Sequence, residues 1–275
     1  MFWRLPLLFV TLCLSTYGAT LEDATISEFL ADNDETLNDS DGDQSDWIEI
    51  ENTSGVTGDL GGWFLTDDPL LLTKWELPAV ELANGGQLII FASAKDRAPV
   101  VGELHTNFKL QSSAGGYLAL VKPDGTTIAS EFTDYPEQFT DISYGGQFYP
   151  TPTPGEANGA SVTGITKDTK FSIGRGVFDA PISLVISTLT DGATIRYTTN
   201  GSIPSENSGI IYNGPISVAE TTIVRAIAYK DRFLSTNVDT HTYLFPADVV
   251  NQPEMRTAIT QNATYGPQMV DALLS

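Results

Sequence analysis

The sequence predicts an all-β protein built from two tandem β-sandwiches, and three observations carry that expectation. Short runs that alternate apolar and polar residues recur along the chain, each ended by a cluster of Gly, Asn, Asp or Pro. That is the pattern of half-buried strands joined by turns. No long stretch shows the 3.6-residue apolar period of a helix. Midway, residues 149–164 change character: Pro150, Pro152 and Pro154 alternate with threonines ahead of Gly155 and Asn158-Gly159. Alternating prolines stiffen a chain and deny it ladder donors, so a domain boundary is expected there.

Taken in order, the chain opens on Met1-Phe2-Trp3-Arg4, then an apolar run over 5–14 and the small residues Ser15, Thr16, Gly18 and Ala19. This is the layout of a secretory signal peptide spanning residues 1–18. A membrane anchor needs about 20 apolar residues, and this run is half that, so no membrane insertion of the mature chain is expected. Cys13, the single cysteine, falls in the leader; the mature chain then has no disulfide and no thiolate metal site. Strands are expected at 24–29, 47–50, 87–91 and 116–121, the last turned back by Pro123-Asp124-Gly125 into 126–132. The first sandwich is placed at residues 24–159.

A second sandwich is placed at residues 165–246. Ile182, Leu184 and Ile186 share one strand face, residues 193–198 follow, and Asn200-Gly201 is a turn dipeptide that accepts positive φ. In 222–230 Val224, Ala226 and Ala228 point inward while Arg225 and Lys230 point outward. Many strands in so few residues is the pattern of a small Ig-like sandwich. Residues 247–275 read as a linker ending in Gln268-Met269-Val270-Asp271-Ala272-Leu273-Leu274-Ser275, the first turns of a helix with no partner. The expectation is a truncated downstream domain.

Composition excludes some functions. With 35 acidic against 14 basic residues the formal charge is -21. Such a surface repels polyanions and draws cations, and it lacks the basic patch that phosphate contacts require, so nucleic acid is excluded as a partner. No Walker loop is present, because Gly61-Gly62 and Gly115-Gly116 stand alone. The two histidines, His105 and His241, lie in different expected domains; His105 reads as a surface or capping residue, His241 as solvent-facing, and neither has a neighbour in sequence that makes a metal trio or a nucleophile–base pair. Asp67-Asp68 could do acid–base work in a cleft, yet Asp67-Asp68-Pro69 is first a turn. Trp47, Trp63 and Trp75, with Tyr135, Phe139, Tyr144, Phe148 and Tyr149, could stack on sugar rings if exposed, though tryptophans in sandwiches of this size belong mostly to the core. No catalytic residue and no organic cofactor is assigned.

The richest local feature is residues 38–46, where Asp39, Asp41, Asp43 and Asp46 surround Gly42. An EF-hand register fails: with Gly42 at the sixth position, the first is Leu37 and the twelfth Ile48. The residues leave three readings open. Asp39, Asp41, Asp43 and Asp46 form an irregular calcium loop of oxygen ligands, or Asp, Ser and Gly form a solvated turn ahead of a strand, or the carboxylates form an acidic catalytic centre.

Residues 24–159 resemble a lamin-tail domain, an Ig-like module. The resemblance rests on Ile26-Ser27-Glu28, Ser45-Asp46-Trp47-Ile48-Glu49-Ile50-Glu51-Asn52, Asp59-Leu60-Gly61-Gly62-Trp63-Phe64-Leu65-Thr66-Asp67 and the closing Pro152-Thr153-Pro154-Gly155-Glu156-Ala157-Asn158-Gly159. Residues 169–245 resemble the chitobiase C-terminal (fibronectin-III-associated) domain through Gly192-Ala193-Thr194-Ile195-Arg196-Tyr197-Thr198, Gly201-Ser202-Ile203-Pro204, Tyr212-Asn213-Gly214-Pro215-Ile216 and Thr222-Ile223-Val224-Arg225-Ala226. In exported bacterial proteins such a pair commonly precedes a kinase-like domain related to spore-coat protein H (CotH). The resemblance therefore implies non-catalytic binding or structural modules, secreted or at the cell surface, with a protein or glycan partner and a kinase-like domain downstream. An accessory region of a secreted enzyme, positioning substrate for a catalytic domain further on, is the alternative.

Overall fold

A computed structural model describes residues 20–250; the expected leader at 1–18 and the expected helix start at 268–275 lie outside the described residues. The chain divides between Ser161 and Val162, inside the proline-rich stretch, into two compact units. Both are all-β, and the one helix among the described residues is the five-residue α1 (Pro246–Val250).

The first unit contains β1 (Ala24–Leu30), β2 (Asp46–Asn52), β3 (Gly58–Asp59), β4 (Phe64–Thr66), β5 (Trp75–Glu76) and β6 (Glu81–Leu82). It continues with β7 (Gln87–Ala92), β8 (Leu104–His105), β9 (Gly116–Val121), β10 (Ile128–Tyr135), β11 (Ser143–Tyr144) and β12 (Phe148–Tyr149). A six-stranded sheet in the order β12-β11-β1-β2-β7-β8 faces a four-stranded sheet in the order β10-β9-β4-β5, and β3 pairs with β6. Between the two large sheets lies one apolar core that includes Ile26, Phe29, Ile48, Ile50, Trp63, Leu65, Ile90, Leu118 and Leu120. The tryptophans are core residues: Trp47 and Trp63 are fully buried and Trp75 nearly so.

One irregularity sets up everything on the outer face of the six-stranded sheet. The alternation expected over 24–29 breaks at Ser27, where the pairing of β1 with β2 shifts between Ile26 and Glu28. A bulge of one residue reverses which side the following residues face. Ile26 and Phe29 therefore both enter the core, opposite Ile50 and Ile48, while Glu28 and Leu30 face outward, opposite Glu49 and Trp47. Leu30, Trp47 and Phe91 form a second, smaller apolar cluster with Leu37 and Ile89 against it. Two carboxylates, Glu28 and Glu49, sit beside that cluster and are fully buried.

The second unit holds β13 (Gly164–Ile165), β14 (Lys170–Phe171), β15 (Gly176–Val177), β16 (Ile182–Leu184), β17 (Ile186–Ser187) and β18 (Thr194–Thr198). After these come β19 (Ile210–Ile211), β20 (Ile216–Val218), β21 (Thr222–Tyr229), β22 (Phe233–Leu234) and β23 (Asp239–Leu244). Its main sheet runs β15-β23-β21-β18-β19, accompanied by the pairs β16-β20, β14-β17 and β13-β22. Leu184, Ile186, Val224, Ala226, Ala228 and Tyr243 are in its core. Gly201 adopts φ +80, and the Asn200 carboxamide oxygen accepts the Ser202 amide at 3.1 Å, so Asn200-Gly201 closes its turn as an Asx turn.

Candidate functional site

The acidic loop is built on Asn33. Its Nδ2 donates to the carbonyls of Leu37 (2.6 Å) and Ser45 (2.8 Å), and its Oδ1 accepts the amides of Thr36 and Leu37. One buried side-chain amide, in the turn after β1, thus ties the two ends of residues 37–45 together. Inside the loop Asp39 Oδ1 accepts the amides of Asp41 (3.0 Å) and Asp43 (3.1 Å), and its Oδ2 accepts Ser45 Oγ at 2.9 Å. Gly42, at φ +87, permits the reversal.

The opposing arm comes from the connection after β7. Ala94 (φ 60) and Asp96 (φ 53) both occupy the left-handed region, which is costly for residues with a Cβ. That backbone carries Lys95 to the mouth of the loop. Lys95 Nζ stands 2.6 Å from Asp39 Oδ2, 2.7 Å from Asp41 Oδ2 and 2.9 Å from Asp43 Oδ2, and Arg97 Nη1 reaches Asp41 Oδ2 at 2.7 Å. Asp39, Asp41 and Asp43 offer oxygens within 4.8 Å of one another, and the ammonium lies at their focus. Burial raises the Asp39 carboxyl, but the bonds from Lys95, the Asp43 amide and Ser45 outweigh it and bring it to about 2. Asp41 is lowered by Lys95 and Arg97. Burial works to lower Lys95, yet its three carboxylate bonds leave it above the ordinary lysine range.

Asp46 does not join this group. It begins β2, its Oδ2 accepts the Leu110 amide at 3.2 Å, and burial pushes it up to about 6. Of the four aspartates read together from the sequence, three converge and the fourth points into the sandwich edge. Between loop and sheet, a cleft of about 240 Å³ is bounded by Ser45, Asp46, Ser93 and Lys109 among others, below the size of ordinary ligand pockets, which start at about 300 Å³.

His105 corrects a sequence reading. It is buried to 1% exposure, stacks on Phe91 at 5.3 Å, and places Nδ1 at 2.9 Å from Ser93 Oγ and Nε2 at 3.6 Å from Glu103 Oε2. The expectation of a surface residue without a nucleophile partner fails because β7 and β8 are parallel neighbours, with Phe91 registered to His105. Ser93 Oγ also accepts the Lys95 amide at 3.3 Å, and Glu103 accepts the Ser40 amide at 2.7 Å. The trio therefore links the histidine to both arms of the loop. His241 likewise is not solvent-facing: it is half-buried and stacks on Phe171 at 4.1 Å.

The other sequence candidates have local duties. Asp67 pairs with Lys74 at 2.6 Å, and Asp68 Oδ1 accepts the Leu70 amide at 2.9 Å as a turn cap. Tyr135 is buried, its hydroxyl donating to the Gln111 carbonyl at 2.9 Å, and Tyr144 packs edge-on against Phe29, Phe132 and Phe148.

Glu28 and Glu49 are functional-site residues that no catalytic or metal-binding motif marks: both are fully buried on the outer face of the six-stranded sheet. Glu28 Oε1 accepts Ser143 Oγ and the Thr153 amide (3.1 Å), and Oε2 accepts Thr153 Oγ1 at 2.8 Å. Glu49 Oε1 accepts Ser27 Oγ and Oε2 the Gly155 amide, both at 2.6 Å. Burial, with the charges of Glu28 and Glu51, raises Glu49 against the pull of those two donors.

No curated protein and no solved structure matches the chain. Family models match each unit in part. The first match ends within β10, before β11 and β12 complete the six-stranded sheet. The chain is thus similar over residues 19–133 to the Lamin Tail Domain and over residues 173–240 to the Chitobiase/beta-hexosaminidase C-terminal domain.

Proposed function

We propose that the chain is a pair of non-catalytic binding or structural modules of an exported, cell-surface or extracellular protein, set ahead of a larger domain of the CotH kinase-like kind. One observation carries this reading: the reactive side chains of the first unit are spent on holding loops to the sandwich. Three aspartates clasp Lys95, Glu28 and Glu49 grip a loop backbone, and His105 is bonded to Ser93 beneath the acidic loop. The loop carries its own cation in Lys95, so a metal is not required to relieve its repulsion. Both family matches and the leader pattern of residues 1–18 support the same reading. A strongly acidic exterior suits a partner met through neutral or cationic groups, a protein or a glycan.

The test is to produce the full chain with its leader, locate it by fractionation, and assay it for ATP turnover and for glycoside and ester hydrolysis. Export with no turnover is expected. Turnover that disappears in Ser93→Ala or His105→Asn would show that the buried Ser93–His105 pair performs nucleophilic chemistry and would end the proposal.

A further inference from the structure

The segment 153–158 differs from the rest of the first unit in how it is held. It belongs to no strand. Within itself it makes one backbone bond, from the Glu156 amide to the Thr153 carbonyl at 3.0 Å. Its attachments to the sheet are the bonds from Thr153 and Gly155 to the two buried carboxylates and one from Asn158 Nδ2 to the Ser27 carbonyl at 2.9 Å. Gly155 sits at φ +82, which presents its amide to Glu49 and disfavours a side chain. Thr153 and Pro154 are half-buried, and residues 155–159 are exposed. Segment 153–158 contributes no residue to the apolar core.

The receptor is unusual in the opposite sense. Glu28 and Glu49 face each other across β1 and β2 because of the Ser27 bulge, and the charged groups acting on Glu49 are Glu28 and Glu51, all acidic. Two buried like charges tolerate each other only while donors reach them. Residues 153–155 supply three of those donors, the Thr153 amide and hydroxyl and the Gly155 amide. The strap and the carboxylate pair therefore depend on each other, and the strap adds nothing to the core.

We infer that residues 153–158 form a releasable latch that uncovers the Glu28–Glu49 carboxylate pair to solvent when it opens. Latched, Thr153, Gly155 and Asn158 are tied to β1 and β2. Released, the last strand pairing before the segment is that of Tyr149 with Ser143 in β12. The first unit keeps both sheets and its core throughout, because the latch opens by local unfolding.

Native-state hydrogen exchange on the full chain tests this, using wild type and the strap-side variants Thr153→Val and Asn158→Ala, which leave the sheets untouched. In wild type the Gly155 amide is expected to be protected, yet to exchange at least about tenfold faster than the β1–β2 ladder amides. Loss of one hydrogen bond in Thr153→Val should speed Gly155 about tenfold more while ladder exchange stays unchanged. Cleavage by a broad-specificity protease should rise in parallel within residues 150–161. A Gly155 amide as slow as the ladder, with Thr153→Val accelerating both together, would make the strap part of the cooperative core and overturn the inference. An unprotected Gly155 amide in wild type would overturn it as well, since no latch would then be closed.

Discussion

Replacing Lys95 by methionine is the sharpest perturbation of the acidic loop, since it keeps the apolar stem and removes only the charge. The Asp39 side chain is fully buried and its bond to Lys95 is 2.6 Å. A hydrogen bond to a buried charged group contributes about 1.5–3 kcal/mol, and at about 4 °C per kcal/mol for a unit of this size the first unit should melt about 6–12 °C lower. Lys95→Met also leaves Asp39, Asp41 and Asp43 facing one another within 4.8 Å without an ammonium between them. That vacancy suits a hard divalent cation. At 10 mM calcium, about tenfold above the Kd of a weak extracellular site, binding should return about 1.4 kcal/mol. The assay is differential scanning calorimetry of wild type and Lys95→Met, each with and without calcium. Wild type should be indifferent to calcium, because an ion must first displace the lysine, and the variant should recover about 6 °C. A variant that melts with wild type would show that the clasp contributes nothing. An equal calcium response in both proteins would show that the ammonium does not hold the cation's place.

Other consequences follow from buried groups. Asp46, held near pH 6 against an ordinary 3.8, is a carboxyl whose folded-state pKa is raised; its contribution is present below about pH 4 and is lost as pH rises through about 6. Asp46→Asn should therefore match wild type near pH 4 and exceed it by up to about 3 kcal/mol at pH 7.5 in urea denaturation. Glu49→Gln keeps an acceptor for the Gly155 amide and removes one of two facing charges, so it should raise the melting temperature at pH 7, with the gain shrinking as pH falls and the wild-type carboxyl protonates. Glu49→Ala should lower it at both values. Gly116→Ala would drive a Cβ to 2.0 Å from the Tyr135 ring, and overpacking of that kind costs about 1–3 kcal/mol, read as a lower urea midpoint with an unchanged slope.

Much of the fold was legible from local pattern. Residues 47–50, 87–91 and 116–121 fall within β2, β7 and β9, because a strand that buries one face must alternate, and alternation is a property of neighbours in sequence. The inward set Val224, Ala226 and Ala228 is buried for the same reason. The aspartate loop also announced itself, since Asp, Ser and Gly in that density form turns whatever surrounds them.

Tertiary structure decided what those residues meet. Lys95 lies 56 positions from Asp39, and no spacing rule connects them; β2 and β7 pairing brings them together. The same pairing, extended to β8, put His105 against Ser93. Strict alternation would put Glu28 on the core face with Ile26; a one-residue bulge turned it to the outer face beside Glu49, and a returning strap buried both. Local patterning determined which segments became strands and turns, because backbone periodicity is set by adjacent residues. The partner of each charge was determined by strand register across the sheet, a long-range quantity that depends on the packing of the whole sandwich.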